Sequence, residues 1–257
     1  MTAIELYKKI DAFCPRELSC SWDNDGIMAS PELSGQVKRV LLSLDATFEA
    51  VNYAAKNGFD ILLTHHPMLF RGAKNVTPDT LSGRRIIRAI SSGVTVMSFH
   101  TRLDACDGGV NDALLNKLGF VCAEKFGDSE SPELGRIAKI EPMTAGELAA
   151  IVKEKLGCDS VRLNGKSERT VTRVGVCGGD GKDFIYPALS CGCDAFITGD
   201  AGYNMAGDAQ EEGIVTIEAG HYHTEAPVLD VLHRLVRDAA GDEVECGFYD
   251  SCTYQIF

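Results

Sequence analysis

Apolar positions recur along this chain in two alternating rhythms. Residues 2–13 set Ile4, Leu6, Ile10 and Phe13 at helical spacing, and Pro15 stops the pattern. A polar, glycine-containing loop follows, Ser21-Trp22-Asp23-Asn24-Asp25-Gly26. From there short apolar runs with strand character, 37–44, 59–64 and 94–99, alternate with helical segments at 48–56, 82–91 and 110–118. Residues 123–134 turn polar and contain Gly127 and Pro132, with Gly135 just beyond, which marks a boundary. The alternation then resumes, with strands at 137–140, 171–177, 195–198 and 214–217 and helices at 145–155, 184–190 and 205–212. A long helix is predicted from Glu225 to about residue 240, and a last strand at 244–248. Strands alternating with short helices predict an α/β fold of βαβ units, with mostly parallel or mixed sheets. Two similar halves are expected, 1–124 and 125–257, with 219–257 able to pack on the first half.

A weak internal repeat underlies the two halves. At an offset of 134, Arg39-Val40 matches Arg173-Val174, and Gly58, Asp60 and Thr64 match Gly192, Asp194 and Thr198. After a loop 13 residues shorter in the second copy the offset becomes 121, where Val94-Thr95 matches Val215-Thr216, His100 matches His221, and Asp104 faces Glu225. Each copy ends a strand and then presents His-x-x-x-Asp/Glu, which makes a duplicated half plausible.

The polar residues of chemical interest gather at the ends of these strands. In an open α/β sheet, ligands bind at the carboxyl ends of the strands. Four of the six histidines, His65, His66, His100 and His221, fall there, with Asp104 and Glu225 close by. Adjacent side chains in a regular strand point to opposite faces. Pro67 ends the strand at once, however, so His65 and His66 can turn toward one pocket. His221 and Glu225 are four apart at a helix start and share a face if the first turn is helical. Each fragment alone has an ordinary structural reading, such as a capping role for Thr224 or Glu225. Together they make a set of imidazoles and carboxylates that suits zinc, iron or manganese and needs no thiolate. Three histidines and two carboxylates can hold two ions if a ligand bridges them, and such a pair lowers the pKa of a shared water.

Charge and cysteine usage narrow the function classes. The formal net charge of -12 is the wrong sign for a phosphate-backbone surface, so nucleic acid is an unexpected partner. An acidic field does concentrate cations. No apolar run is long enough for a membrane helix, and a cytoplasmic protein is the expectation. The ten cysteines include no Cys-x-x-Cys pair, so they are expected to be mostly small buried apolar residues.

The segments Leu63-Thr64-His65-His66-Pro67, His100-Thr101-Arg102-Leu103-Asp104, Gly108-Gly109-Val110-Asn111, Gly199-Asp200 and Gly220-His221 with Thr224-Glu225 resemble one family. They are similar in identity and order to the motifs of the dinuclear metal-centre hexameric proteins, the GTP cyclohydrolase 1 type 2 homologs. The resemblance runs from about Trp22 to Glu225. It implies that His65, His66, Asp104, His221 and Glu225 hold two divalent ions per subunit. It also implies a toroidal homohexamer with the sites facing an internal cavity. Longer members carry an extra domain between the halves, and this chain resembles a short form. One departure is Ser21, which stands where the family often has an acidic residue before Trp-Asp-Asn.

The resemblance and the ligand set together point to a metal-dependent hydrolase acting on a small molecule. Five ligands for two ions leave coordination positions open, as catalytic sites do. His100 is expected beside the centre as a proton shuttle or as support for Asp104, and Thr101 and Asp200 as supporting residues. Non-catalytic metal storage, delivery or scaffolding is the alternative. Gly178-Gly179-Asp180-Gly181-Lys182 follows a strand and precedes a helix, so its amides could cradle a phosphate, although a plain tight turn is the stronger expectation.

Overall fold

The computed structural model describes residues 1–131 and 133–255, so Pro132 of the expected boundary lies outside the described residues. In chain order the structure has α1 (Ala3–Phe13), β1 (Gly26–Ala29), β2 (Arg39–Ser43), α2 (Phe48–Lys56), β3 (Ile61–Thr64), α3 (Leu81–Ser91), β4 (Thr95–Ser98) and α4 (Thr101–Ala105). It continues with α5 (Val110–Leu118), β5 (Cys122–Phe126), β6 (Gly135–Thr144), α6 (Ala145–Leu156), β7 (Arg162–Asn164) and β8 (Thr170–Cys177). Then follow α7 (Ile185–Ser190), β9 (Ala195–Thr198), α8 (Tyr203–Glu211), β10 (Val215–Glu218), α9 (His221–Glu225), α10 (Val228–Ala240) and β11 (Glu245–Phe248).

The chain forms two compact units. The first is Met1–Leu103 with Leu229–Thr253, and the second is Asp104–Val228 with the residues from Tyr254. The first holds a five-stranded sheet in the order β1-β4-β3-β2-β11, parallel except for β1. The second holds a six-stranded sheet in the order β5-β6-β8-β9-β10-β7, with β8, β9 and β10 parallel and the rest antiparallel. Apolar side chains from alternate strand positions fill the cores. Leu41, Leu62 and Val96 meet Ala50, Val51 and Ala54 of α2 in the first unit. In the second unit Val174, Val176 and Ile197 meet Leu114, Leu148 and Val152 on one face, and Phe196 meets Ile185 and Ala188 on the other.

Both units contain the same four-strand motif, β1-β4-β3-β2 in one and β7-β10-β9-β8 in the other. One aspartate in each explains why. Asp60 Oδ2 accepts from the amides of Lys38 (2.7 Å) and Arg39 (2.9 Å). Asp194 Oδ2 accepts from the amides of Thr172 (2.9 Å) and Arg173 (3.0 Å) and from the Thr172 hydroxyl (2.8 Å). The Asp60 carbonyl takes the Thr95 amide (2.9 Å) and the Asp194 carbonyl takes the Val215 amide (3.0 Å). Each aspartate thus ties together three strands just before their parallel pairing begins, where orphan amides would otherwise be left. Burial pushes the Asp194 carboxyl up, but these hydrogen bonds outweigh it and hold it below its ordinary value.

The structure changes several sequence expectations. The composition break at 124/125 falls inside β5, which pairs with β6. The first unit ends instead at Leu103, and it regains the chain's last strand because β11 pairs in parallel with β2. The long helix expected from Glu225 is broken into α9 and α10, since Pro227 has no amide to donate and its ring disfavours continuation. The repeat offset in the third strand is also one residue too large. Ile61 pairs with Thr95 and Ala195 with Val215, so the register equates Thr95 with Val215. One extra residue is taken up before His221, where Gly220 adopts φ +84°. His100 therefore precedes α4, its carbonyl accepting the Leu103 amide (2.7 Å), whereas His221 is the first residue of α9.

Replacing Asp194 with alanine is expected to lower stability in urea unfolding by about 1–3 kcal/mol, because it strands two strand-start amides. The depressed carboxyl makes this contribution complete above the unfolded carboxylate pKa of about 3.9 and lost as pH falls below it. The gap between wild type and variant should therefore close in acid.

Candidate metal centre

The end of β3 delivers two imidazoles to one place. β3 stops at Thr64, and the Thr64 hydroxyl donates to the His66 carbonyl (2.8 Å), which turns the chain at once. The rings of His65 and His66 lie 4.9 Å apart instead of on opposite sheet faces. His65 is fully buried, and its Nδ1 lies 3.0 Å from the Phe99 carbonyl oxygen. A carbonyl can only accept, so Nδ1 carries the proton and Nε2 keeps a lone pair. His66 Nδ1 lies 2.8 Å from Asp45 Oδ1, and Ser251 Oγ braces the other carboxylate oxygen (2.9 Å).

His100 joins them from the end of β4. Its Nδ1 lies 2.8 Å from Asp23 Oδ1, and its ring is 5.2 Å from that of His65 and 5.6 Å from that of His66. Each of the three histidines offers a ring nitrogen, and these lie within 4.8 Å of one another. The Trp22–Gly26 loop supplies the support. Asp23 Oδ2 accepts from the Thr101 hydroxyl (2.6 Å) and amide (3.0 Å). Burial pushes the Asp23 carboxyl up, but the bonds from His100 and Thr101 prevail and hold it at about 2, so it is ionised at neutral pH. Asp25 accepts from the His100 amide (3.1 Å), from Arg16 and from Arg102 Nε (2.9 Å). The buried Arg102 guanidinium is completed by Asp11 (2.5 Å), the Cys14 carbonyl (3.3 Å) and the face of Phe99 (4.4 Å). The Trp22–Gly26 loop thus holds His100 and Arg102 in place, and Thr101 acts through Asp23.

The second unit holds the other expected ligands. α9 is helical from its first residue, so His221 and Glu225 share a face, with Nε2 3.2 Å from Oε2. His221 Nδ1 lies 3.1 Å from Asp200 Oδ2. Asp104 and Glu225 are both buried, and both add to the burial that raises the Cys177 thiol well above its ordinary value. A carboxylate oxygen of Asp104 and one of Glu225 lie within 4.8 Å of each other. The loop 178–182 packs against His221 and Glu225. A Cβ on Gly179, whose φ is +65°, would come within 2.1 Å of Glu225 Oε1 and 3.0 Å of His221 Nε2. The amides of Gly178, Gly179 and Gly181 donate to Asn111 Oδ1 (2.8 Å), Thr224 Oγ1 (3.0 Å) and Thr198 Oγ1 (3.1 Å). With those amides engaged, the loop is a tight turn and not a phosphate cradle. The same contacts explain Asn111 of the Gly-Gly-Val-Asn motif, whose Nδ2 donates to the Leu134 carbonyl (2.8 Å).

The donor set fits borderline divalent ions. All four strand-end histidines have Nδ1 beside an oxygen, which orients the ring and leaves Nε2 for a ligand, the usual arrangement around metal-bound histidine. Among the described residues no cysteine joins the groups that could hold an ion, and burial pushes the Cys158 thiol up to about 11 and Cys193 up to about 12. Asp45 and Asp23, which orient two of the rings, were missed from sequence. Asp45 was findable, since it falls two residues past the end of β2 just as His66 falls two residues past the end of β3.

The fold and these residues define a class, a duplicated α/β protein with imidazole and carboxylate donors at its strand ends. The family profile described as Duf34/NIF3 (NGG1p interacting factor 3) matches residues 1–253, and the chain belongs to that family. It is similar to the GTP cyclohydrolase 1 type 2 homolog of Clostridium perfringens, 33% identical over 240 residues that cover 92% of this chain and 91% of that protein. The protein of the same name from Clostridium acetobutylicum is 34% identical over 240 residues, covering 91% and 89%. Among solved structures, a Staphylococcus aureus protein shares the fold with a TM-score of 0.90 at 24% identity, covering 100% of this chain and 99% of that one. Reduced HcgD from Methanocaldococcus jannaschii matches with a TM-score of 0.83 at 25% identity, covering 96% and 97%.

Two variants test the support of the donors. Asp45→Ala frees His66 Nδ1, and Gly179→Ala forces Glu225 to move. Each is expected to weaken metal binding by about 10- to 100-fold in competition against a chelating dye. Asp45→Asn, which keeps an accepting oxygen, should lose less than Asp45→Ala.

Proposed function

We propose that this chain is a metal-dependent hydrolase in which His65, His66, Asp104, His221 and Glu225 hold two divalent ions. The observation that carries this is the shared tethering of Nδ1 in His65, His66 and His221 to an oxygen, which fixes each ring with Nε2 as the donor. Imidazoles with carboxylates favour zinc, iron or manganese. When bound, such ions would lower the pKa of water and stabilise developing negative charge. The chain's own residues do the rest. The Phe99 carbonyl, Asp45 and Asp200 hold the ligand rings in place. His100 keeps a proton on Nδ1 toward Asp23 and presents Nε2, from which it can accept and return a proton during turnover.

The name carried by the Clostridium relatives makes GTP the first substrate to try. A homohexamer is the assembly that the resemblance supports. Among the described residues no helix is long and apolar enough to cross a membrane, and a cytoplasmic location is part of the proposal.

The test is metal content by mass spectrometry, followed by turnover of GTP and of phosphoester and cyclic-amide panels. Wild type is expected to carry about two ions per chain and to lose turnover on chelation. His65→Ala should lower both metal content and rate, by about 10-fold or more. Two ions with no turnover on any panel would sink the hydrolase and favour metal storage or delivery. Less than one ion per chain, unchanged in His65→Ala, would sink the centre itself.

A further inference from the structure

Trp22 is the only tryptophan in the chain, and it is 54% exposed. Phe70 beside it is 50% exposed. Large aromatic rings are ordinarily turned inward, so two of them in contact at the surface call for an explanation. Their ring centroids are 5.8 Å apart with planes at 53°. Both face the same third ring. Trp22 lies 6.2 Å from the His100 imidazole at 74°, and Phe70 lies 6.1 Å from it at 78°. The three rings form a triangle about 6 Å on a side, with both aromatic planes standing nearly upright on the imidazole.

The two aromatic residues are held in place by the groups that build the histidine cluster. Trp22 directly precedes Asp23, the carboxylate that fixes His100, and the Asp23 amide donates to the Cys20 carbonyl (3.0 Å). Phe70 follows Leu69, whose carbonyl accepts from Asn24 Nδ2, so the loop after His66 is bonded to the loop that carries Trp22. Both aromatics are therefore positioned before any ligand arrives, which lowers the entropic cost of binding.

We propose that Trp22 and Phe70 form a stacking shelf for a planar heteroaromatic ring of the substrate, held beside His100 at the edge of the histidine cluster. Aromatic faces take planar rings by offset or edge contact, and stacking tolerates many ring types. A ring lying parallel to Trp22 stands at about the same 74° to the imidazole, so it sits across His100 and not on top of it. The shelf deepens the hydrolase reading and rests on it, because it assigns the substrate a class, namely a planar ring carrying the bond to be hydrolysed.

Trp22 is its own reporter. The full-length, metal-loaded protein is titrated with guanosine, nicotinamide and ribose 5-phosphate while tryptophan fluorescence is recorded. A saturable change with at least one of the two ring compounds is expected, with none from ribose 5-phosphate. Bound ring should also shield Trp22 from iodide quenching. Phe70→Ala should weaken ring binding by about 3- to 10-fold, and Phe70→Tyr should restore it. His65→Ala, depleted of metal, should keep the fluorescence response. Loss of the metal centre and loss of the shelf are thereby told apart. No response to either ring compound would overturn the shelf, and so would Phe70→Leu binding as tightly as wild type. Trp22 already shielded from iodide in the ligand-free assembled protein would overturn it too, because the pair would then be a contact between copies.

Discussion

The strand-end histidines of each unit depend on one repeated hydrogen bond, from an imidazole Nδ1 to an oxygen that the fold holds still. An imidazole has two nitrogens and can rotate, so it becomes a defined ligand only when one nitrogen is committed. Here the Phe99 carbonyl, Asp45, Asp23 and Asp200 make that commitment for His65, His66, His100 and His221. Each anchor lies just beyond a strand end or in the loop braced against one. Removing an anchor leaves the imidazole present and its direction lost, and for that reason groups that orient metal-binding histidines in general affect metal affinity nearly as strongly as ligands do.

The strand ends are in register because the strand starts are. Asp60 and Asp194 each bind three strands just before their parallel pairing begins. A four-residue strand such as β3 or β9 has little ladder of its own to set its position. Fixing one end of so short a strand fixes the other, some 13 Å away at about 3.3 Å per residue. The same device in both units is why the duplication remains visible in topology after most side chains have diverged. Divergence is clearest at the third strand, where one added residue before His221 moves that histidine into a helix while His100 stays ahead of one.

Much of this was legible in the sequence. Period-two and helical patterning located α2, α5 and β9 with their observed bounds. The strand-end rule picked out His65, His66, His100 and His221 together. The elements that escaped are those whose pattern is set by neighbours. β5 is polar and half exposed, with only Phe126 buried, and reads as a linker until it is seen to pair with β6. β7 has three residues, none of them buried. That 219–257 could pack on the first half was legible; that β11 pairs in parallel with β2 was not, because no local pattern encodes the choice of sheet edge.

The sequence by itself determined the α/β class, the duplication and the chemical type of the donors. Those follow from periodicity and residue identity, which are properties of nearby positions. Only the tertiary structure decided which oxygen each imidazole is tied to, why Gly179 must be glycine, and that Trp22 and Phe70 stand together beside His100. These partners are separated along the chain by 21 residues for His66 and Asp45 and by 77 for His100 and Asp23. A hydrogen bond is directional and acts over about 3 Å. Pairings at that range between distant residues arise only when the sheet has brought their strand ends together.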